Sequence, residues 1–151
     1  MPTTTNVDEL KTLVGTPLDL SDWFEITQDR VNTFANATDD YQWIHVDPER
    51  ANKESPFGNT IAHGYLTLSL LSAMFAQVLD VQGASLAVNY GLNKVRFPAP
   101  VPVGSKVRLR AEIDSARDIS GGVQIVVAAT VECSATDKPV CVAETLYRYY
   151  S

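Results

Sequence analysis

Asp40 and His45 stand five positions apart in the run Asp40-Tyr41-Gln42-Trp43-Ile44-His45, and the tetrapeptide Ile61-Ala62-His63-Gly64 follows it. Aspartate and histidine are the side chains best suited to exchanging protons near neutral pH. Gly64, at the start of a predicted helix, offers a bare backbone N–H to a carbonyl oxygen or an anion. Together these residue types describe a site that holds a carbonyl, activates a water and moves a proton. The same residues also have plain structural readings. A loop aspartate near a histidine is commonly a helix cap beside a core or surface histidine, and a glycine at a helix start is often a close-packing residue. His63, beside Gly64, reads first as a histidine that fixes a loop by a hydrogen bond. Asp40, His45, Asp47 and His63 could in principle hold a metal. Their spacing forms no i, i+4 ligand pair, so the sequence gives no reason to expect one.

The elements that must position these groups can be read from periodicity. Residues 1–6 read as frayed, and Val7–Val14 as a short helix stopped by Gly15. Leu18–Ile26 is a candidate strand. Thr27 is a good N-cap for a helix with Val31, Phe34 and Ala35 on one face, ending near Thr38 and delivering Asp39 and Asp40 to a loop. Asp47-Pro48-Glu49 opens another short helix, with proline at its first position. Asn59 or Thr60 can cap a long apolar helix running to about Asp80. Beyond Gly83 the period changes to two. Leu86–Phe97 reads as a strand, and Val107, Leu109, Ala111 and Ile113 alternate with charged residues. Val123, Ile125, Val127 and Val131 continue the alternation, then Val140, Val142, Leu146 and Tyr150. Gly121-Gly122 and Thr136-Asp137-Lys138-Pro139 are the candidate hairpin turns. Long antiparallel strands need one face covered, and a helix apolar nearly all round must be buried on most sides. A sheet wrapped around that helix satisfies both.

Composition narrows the functions. A chain of 151 residues with 45% hydrophobic content fits one α+β domain, residues 1–151, with 1–17 as an N-terminal extension. Net charge is −6, which argues against a nucleic-acid binder. Lys94, Arg96, Lys106, Arg108 and Arg110 are the basic concentration, placed by periodicity on two neighbouring strands. They read either as a solvated sheet face or as contacts for phosphate. The apolar segment around Tyr65–Val81 is interrupted by Thr67, Ser69, Ser72 and Gln77 and reads as a buried helix, so no membrane span is expected. No signal peptide is visible, and two cysteines make no disulfide framework, so a cytoplasmic location is expected. Cys133 and Cys141 fall in predicted strands and do not read as nucleophiles.

Three segments in order carry a family resemblance. Asp39-Asp40-Tyr41-Gln42-Trp43-Ile44-His45 resembles the hydratase motif Gly-Asp-x-Asn-Pro-x-His of the MaoC-like dehydratases, the (R)-specific enoyl-CoA hydratases. Asp40 and His45 keep the motif's spacing, while Asp39, Gln42 and Trp43 replace its Gly, Asn and Pro. Ile61-Ala62-His63-Gly64 matches the family's Ile-x-His-Gly. Arg96-Phe97-Pro98-Ala99-Pro100-Val101-Pro102-Val103-Gly104 looks like its Arg-Phe-x-x-Pro-Val-x-Val-Gly turn. The resemblance covers roughly residues 20–150. The Gln-Trp-Ile-His variant looks most like the NodN-like branch, which includes mycobacterial 3-hydroxyacyl-thioester dehydratases.

The resemblance implies a single hotdog fold, pairing as a homodimer with thioester sites at the interface. It implies reversible addition of water to a trans-2-enoyl thioester of coenzyme A or an acyl carrier, without metal or redox cofactor. Asp40 and His45 would be the catalytic pair and Gly64 the donor to the thioester oxygen. Ser72, eight residues past Gly64, would support Asp40, with Ser69 as a rival, and His63 would also be a supporting residue. Lys94 and Arg96 are candidate contacts for coenzyme A. The alternatives are a hotdog thioesterase, which directs water at the thioester carbonyl, and a non-catalytic module that binds acyl thioesters. The three departures from the motif keep the last in view.

Overall fold

The computed structural model describes residues 1–151. Four long strands, β4 (Leu86–Arg96), β5 (Lys106–Ile119), β6 (Gly122–Cys133) and β7 (Thr136–Tyr150), join the two-residue β2 (Phe24–Glu25) in an antiparallel sheet ordered β2-β5-β6-β7-β4. Five helices accompany it: α1 (Gln28–Thr38), α2 (Trp43–Val46), α3 (Pro48–Glu54), α4 (Gly64–Ser69) and α5 (Leu71–Ala76). The last two make one nearly continuous rod. Leu70 between them keeps helical dihedrals, and the Leu70→Leu66 and Met74→Leu70 backbone bonds span the junction. The rod buries Leu66, Leu71, Met74 and Phe75 against the concave face of the sheet, with the Phe75 ring stacked on Tyr147 at 4.7 Å. This is the expected hotdog arrangement. No helix is long and apolar enough to cross a membrane.

The alternation on β5 holds: Val107, Leu109, Ala111 and Ile113 are buried. On β7 the expected set divides: Val140 is buried as expected, but Val142, Leu146 and Tyr150 fall on the outer parity. Cys141, Ala143, Thr145, Tyr147 and Tyr149 point into the core, and Val142 is 41% exposed. A period of two fixes alternation but not which parity faces inward. Here the β6 pairing, Ala129 opposite Ala143 and Ile125 opposite Tyr147, decides it.

Other expectations also change. The central helix is not capped by Asn59 or Thr60 and stops at Ala76, short of Asp80. Ala62 N–H donates to Val101 O, Val103 N–H donates to Thr60 O, and Ile61 bridges Pro102, so residues 60–62 are held extended. Residues 1–6 are not frayed, because β1 (Thr3–Asn6) pairs in parallel with β3 (Leu79–Gln82). Val7 and Leu10 then enter the same core cluster as the sheet residues. The expected helix at 7–14 is a 3-10 turn at Leu10–Leu13, after which Gly15 turns with φ 80. Of Leu18–Ile26 only Phe24–Glu25 joins the ladder, although Leu18 and Ser21 still donate to carbonyls of β5. The last hairpin turns at Ser134-Ala135, and Thr136–Pro139 lies within β7. Pro139 is tolerated because it has no register partner on either side: β4 pairs with β7 only from Val142 onward, and the β6 ladder breaks between Cys141 and Thr136. Lys94 and Arg96 lie on β4, whereas Lys106, Arg108 and Arg110 lie on β5, with β6 and β7 between. The basic residues therefore form no single patch.

Candidate active site

Thr27 starts α1 by accepting the Arg30 N–H at 3.0 Å. The helix ends where Asp39 takes a left-handed conformation, φ 60, which turns the chain sharply. Glycine adopts that conformation freely, and aspartate is among the few other residues that visit it. Aspartate is thus compatible with the left-handed turn at the position where the resembled motif has glycine. Asp40 follows in the loop with its side chain 53% exposed, its Oδ1 accepting the Gln42 N–H at 3.3 Å. Trp43 is the first residue of α2, where a proline would also fit, and the Arg50 guanidinium stacks 4.2 Å from its ring centroid.

The single turn of α2 carries His45 inward to 8% exposure. Its Nδ1 lies 2.7 Å from the Ile61 carbonyl oxygen. A carbonyl only accepts, so Nδ1 carries the proton and Nε2 is left as the basic nitrogen. Burial pushes the His45 pKa below its ordinary 6.5. The hydrogen bond to Ile61 opposes this, neighbouring His63 adds to it, and Asp40 pulls the other way. The ring is therefore neutral at pH 7 and able to accept a proton.

His63 is 3% exposed and stacks on His45 with ring centroids 3.9 Å apart. Its Nε2 donates to the Asp40 backbone oxygen at 3.0 Å, tying the aspartate loop to the start of the central helix. An Asp40 carboxylate oxygen and one nitrogen from each histidine lie within 4.8 Å of one another, a span that one water can bridge. Asp47 is not in this group and caps α3 through the Arg50 N–H.

Gly64 is the first residue of α4, and its N–H donates to no acceptor in the protein. It lines a cleft of about 320 Å³ together with His45 and Thr67, against a wall that includes Phe57, Phe97 and Val101. Asp40 is not among the residues lining this cleft; its carboxylate lies 3.9 Å from His63 Nε2. Ser72 is exposed, lines two other grooves, and makes no hydrogen bond to Asp40. Its rival Ser69 donates to the Tyr65 carbonyl. Neither serine supports Asp40 within one chain. Lys94 and Arg96 are exposed on β4 with no carboxylate partner, and Arg96 donates to the Val95 carbonyl at 2.7 Å. Burial pushes the Cys141 thiol up to about 11, and neither cysteine lines the cleft.

The family model for the MaoC-like domain matches residues 9–136. This chain belongs to the MaoC-like dehydratase family. Within it, the chain is 53% identical over 150 residues to 3-hydroxyacyl-thioester dehydratase Z of Mycobacterium tuberculosis, covering 99% of each. It is 44% identical to nodulation protein N of Rhizobium leguminosarum bv. viciae, covering 86% of this chain and 82% of the relative. The unliganded (R)-hydratase of Pseudomonas aeruginosa superposes with a TM-score of 0.74 at 25% identity, over 91% of this chain and 82% of that one.

Some residues of this MaoC-like site carried no signal in the sequence. Gln28 donates to the His45 carbonyl at 2.8 Å and accepts the Thr60 hydroxyl at 2.6 Å, fastening the backbone on both sides of the site. In the sequence it is an ordinary polar residue in a helix's first turn. Phe97 was visible within a motif, but nothing there placed its ring against Gly64.

Proposed function

We propose that this protein is an (R)-specific 2-enoyl-thioester hydratase, equivalently a 3-hydroxyacyl-thioester dehydratase. The observation that carries the reading is a buried histidine held neutral, with its Nδ1 proton fixed. Beside it lie a carboxylate within one water's reach and an unpartnered Gly64 N–H in the same cleft. Asp40 and His45 share the reacting water. They take its proton as its oxygen bonds to C3 of the enoyl thioester, and a proton is delivered to C2. The thioester oxygen gains negative charge as this happens, and the Gly64 N–H stabilises it. In the reverse direction C2 loses a proton and the 3-hydroxyl leaves as water. The 53% identity to a dehydratase over nearly the whole chain supports the assignment.

The reaction so written needs no metal. The stacked imidazoles hold their in-plane lone pairs in nearly parallel planes, which disfavours both meeting one ion. Coenzyme A or an acyl carrier presents the substrate, with Lys94 and Arg96 as candidate contacts for coenzyme A. The working form is a cytoplasmic homodimer. In support, β4 is an edge strand that leaves Leu86, Tyr90 and Leu92 exposed, as an unpaired protein edge seldom does. A sedimentation experiment finding a dilute, active monomer contradicts the dimer.

The test of function is hydration of crotonyl-CoA and longer enoyl-CoAs, followed by loss of enoyl absorbance, with thiol release measured in parallel and chiral analysis of the product. Loss of enoyl absorbance with an (R)-3-hydroxyacyl product supports the assignment. Thiol release without hydration makes the protein a thioesterase and overturns it.

A further inference from the structure

Thr67 is 1% exposed, and its hydroxyl has no hydrogen-bond partner. Serines and threonines in helices usually return the hydroxyl to the carbonyl one turn back, and this chain follows the habit elsewhere. Thr33 donates to Asp29 O, Thr38 to Phe34 O, and Ser69 to Tyr65 O. Those three are exposed and could have used water instead. Thr67 is buried, has the His63 carbonyl one turn behind it, and still leaves its hydroxyl unmatched. A buried hydroxyl without a partner costs free energy. Its residue lines the same cleft as His45 and Gly64.

Helix geometry gives that hydroxyl a direction. Side chains on a helix lean toward its N-terminus, and residues three apart are neighbours on its surface. Thr67 therefore leans over Gly64, which has no side chain to occupy the space. The unpartnered Thr67 hydroxyl and the unpartnered N–H of Gly64 belong to residues lining one cleft.

We infer that the Thr67 hydroxyl is a second donor to the thioester oxygen, acting beside the Gly64 N–H. The inference rests on the hydratase reading above and extends it to a residue outside the motif. A donor aimed at developing charge acts more on turnover than on binding, because it strengthens as the enolate forms.

The experiment compares Thr67→Val, which keeps the shape and removes the hydroxyl, with Thr67→Ser, which keeps the hydroxyl. Three quantities are read: kcat and KM for crotonyl-CoA hydration, thermal midpoint, and the absorbance shift of a bound dimethylaminocinnamoyl-CoA, whose spectrum moves red as its carbonyl is polarised. The expectation for Thr67→Val is a kcat on the order of 100-fold lower, little change in KM, a smaller red shift, and an equal or higher thermal midpoint. Thr67→Ser restores most of kcat and of the shift. Thr67→Val with wild-type kcat and an unchanged shift overturns the proposal. So does a Thr67→Val protein that melts lower or does not fold, since the hydroxyl then has a structural partner. A wild-type protein that hydrates no enoyl thioester sinks the reaction assignment instead, and the red shift still reports whether Thr67 polarises a bound thioester.

Discussion

A side chain on Gly64 would press on Phe97: a Cβ built there lies 3.2 Å from two ring carbons of the phenylalanine. Phe97 is 41% exposed and its ring forms part of the cleft wall. The glycine thus leaves room for an aromatic wall in the same cleft that Gly64 lines. Gly64→Ala requires the ring to give by a few tenths of an ångström, which disturbs the cleft wall. The expected result is an impaired kcat/KM with an unchanged circular dichroism spectrum, and partial recovery in Gly64→Ala combined with Phe97→Leu. Gly64→Pro removes the donor and is expected to be nearly inactive even if folded. Normal rates in both single variants would make Gly64 a packing residue only.

Asp40→Asn keeps the size of the side chain and removes its charge. Hydration is expected to slow by roughly two to four orders of magnitude with folding retained. His45→Gln should behave alike. Because both act on one water, the double variant should lose less than the product of the two single losses. Fully multiplicative losses in that cycle would separate the two residues mechanistically.

The pH profile follows from His45. Its pKa in the folded protein is lowered from 6.5, chiefly by burial, so the neutral base persists below pH 6.5. The acid limb of kcat/KM should therefore fall below pH 6.5, and be absent from the residual activity of His45→Gln. The same shift sets a stability trend. Between the two pKa values the unfolded chain binds more protons, so this contribution is fully present above pH 6.5 and is lost as pH falls through the folded value. An NMR titration of the His45 ring placing its pKa above 6.5 would contradict both statements.

Gln28 joins the His45 carbonyl to the Thr60 hydroxyl, and Thr60 is 1% exposed. Gln28→Leu strands that hydroxyl in the interior, at an expected cost of about 1–3 kcal/mol in denaturant unfolding. It also frees the α2 turn, so kcat should fall although Gln28 does not line the cleft. Wild-type stability and turnover together would show that the network is incidental.

Asp39 holds φ 60 at the end of α1. Asp39→Gly should be neutral or slightly stabilising, since it removes strain but loosens the unfolded chain. Asp39→Val, with a β-branched side chain in the left-handed region, should cost about 1–3 kcal/mol and reduce activity by displacing Asp40. Thermal melts of the two variants check the pair.

The elements of the fold that were legible, α1, β5 and the β5–β6 hairpin among them, are those specified by neighbours in the chain. Thr27 caps α1 through a residue three positions on, the β5 alternation is a property of successive side chains, and Gly121 turns a hairpin between adjoining strands. The motif Asp40 to His45 was legible for the same reason, since one helix end and one turn deliver both residues. What lay beyond the sequence depended on partners far along the chain. The parity of β7 is set by β6, and the start of the central helix by residues 101–103, which hold 60–62 extended. His45's tautomer is fixed by the Ile61 carbonyl, and the opposite wall of its cleft comes from residues around Phe97 and Val101. Ser72 met the spacing expected of a support for Asp40, yet the helix turns it to a different surface. Local pattern determines which backbone state each segment prefers. Which side chains meet across the core is decided only when distant strands pair and exclude water, because that pairing fixes register, and register fixes every contact at the site.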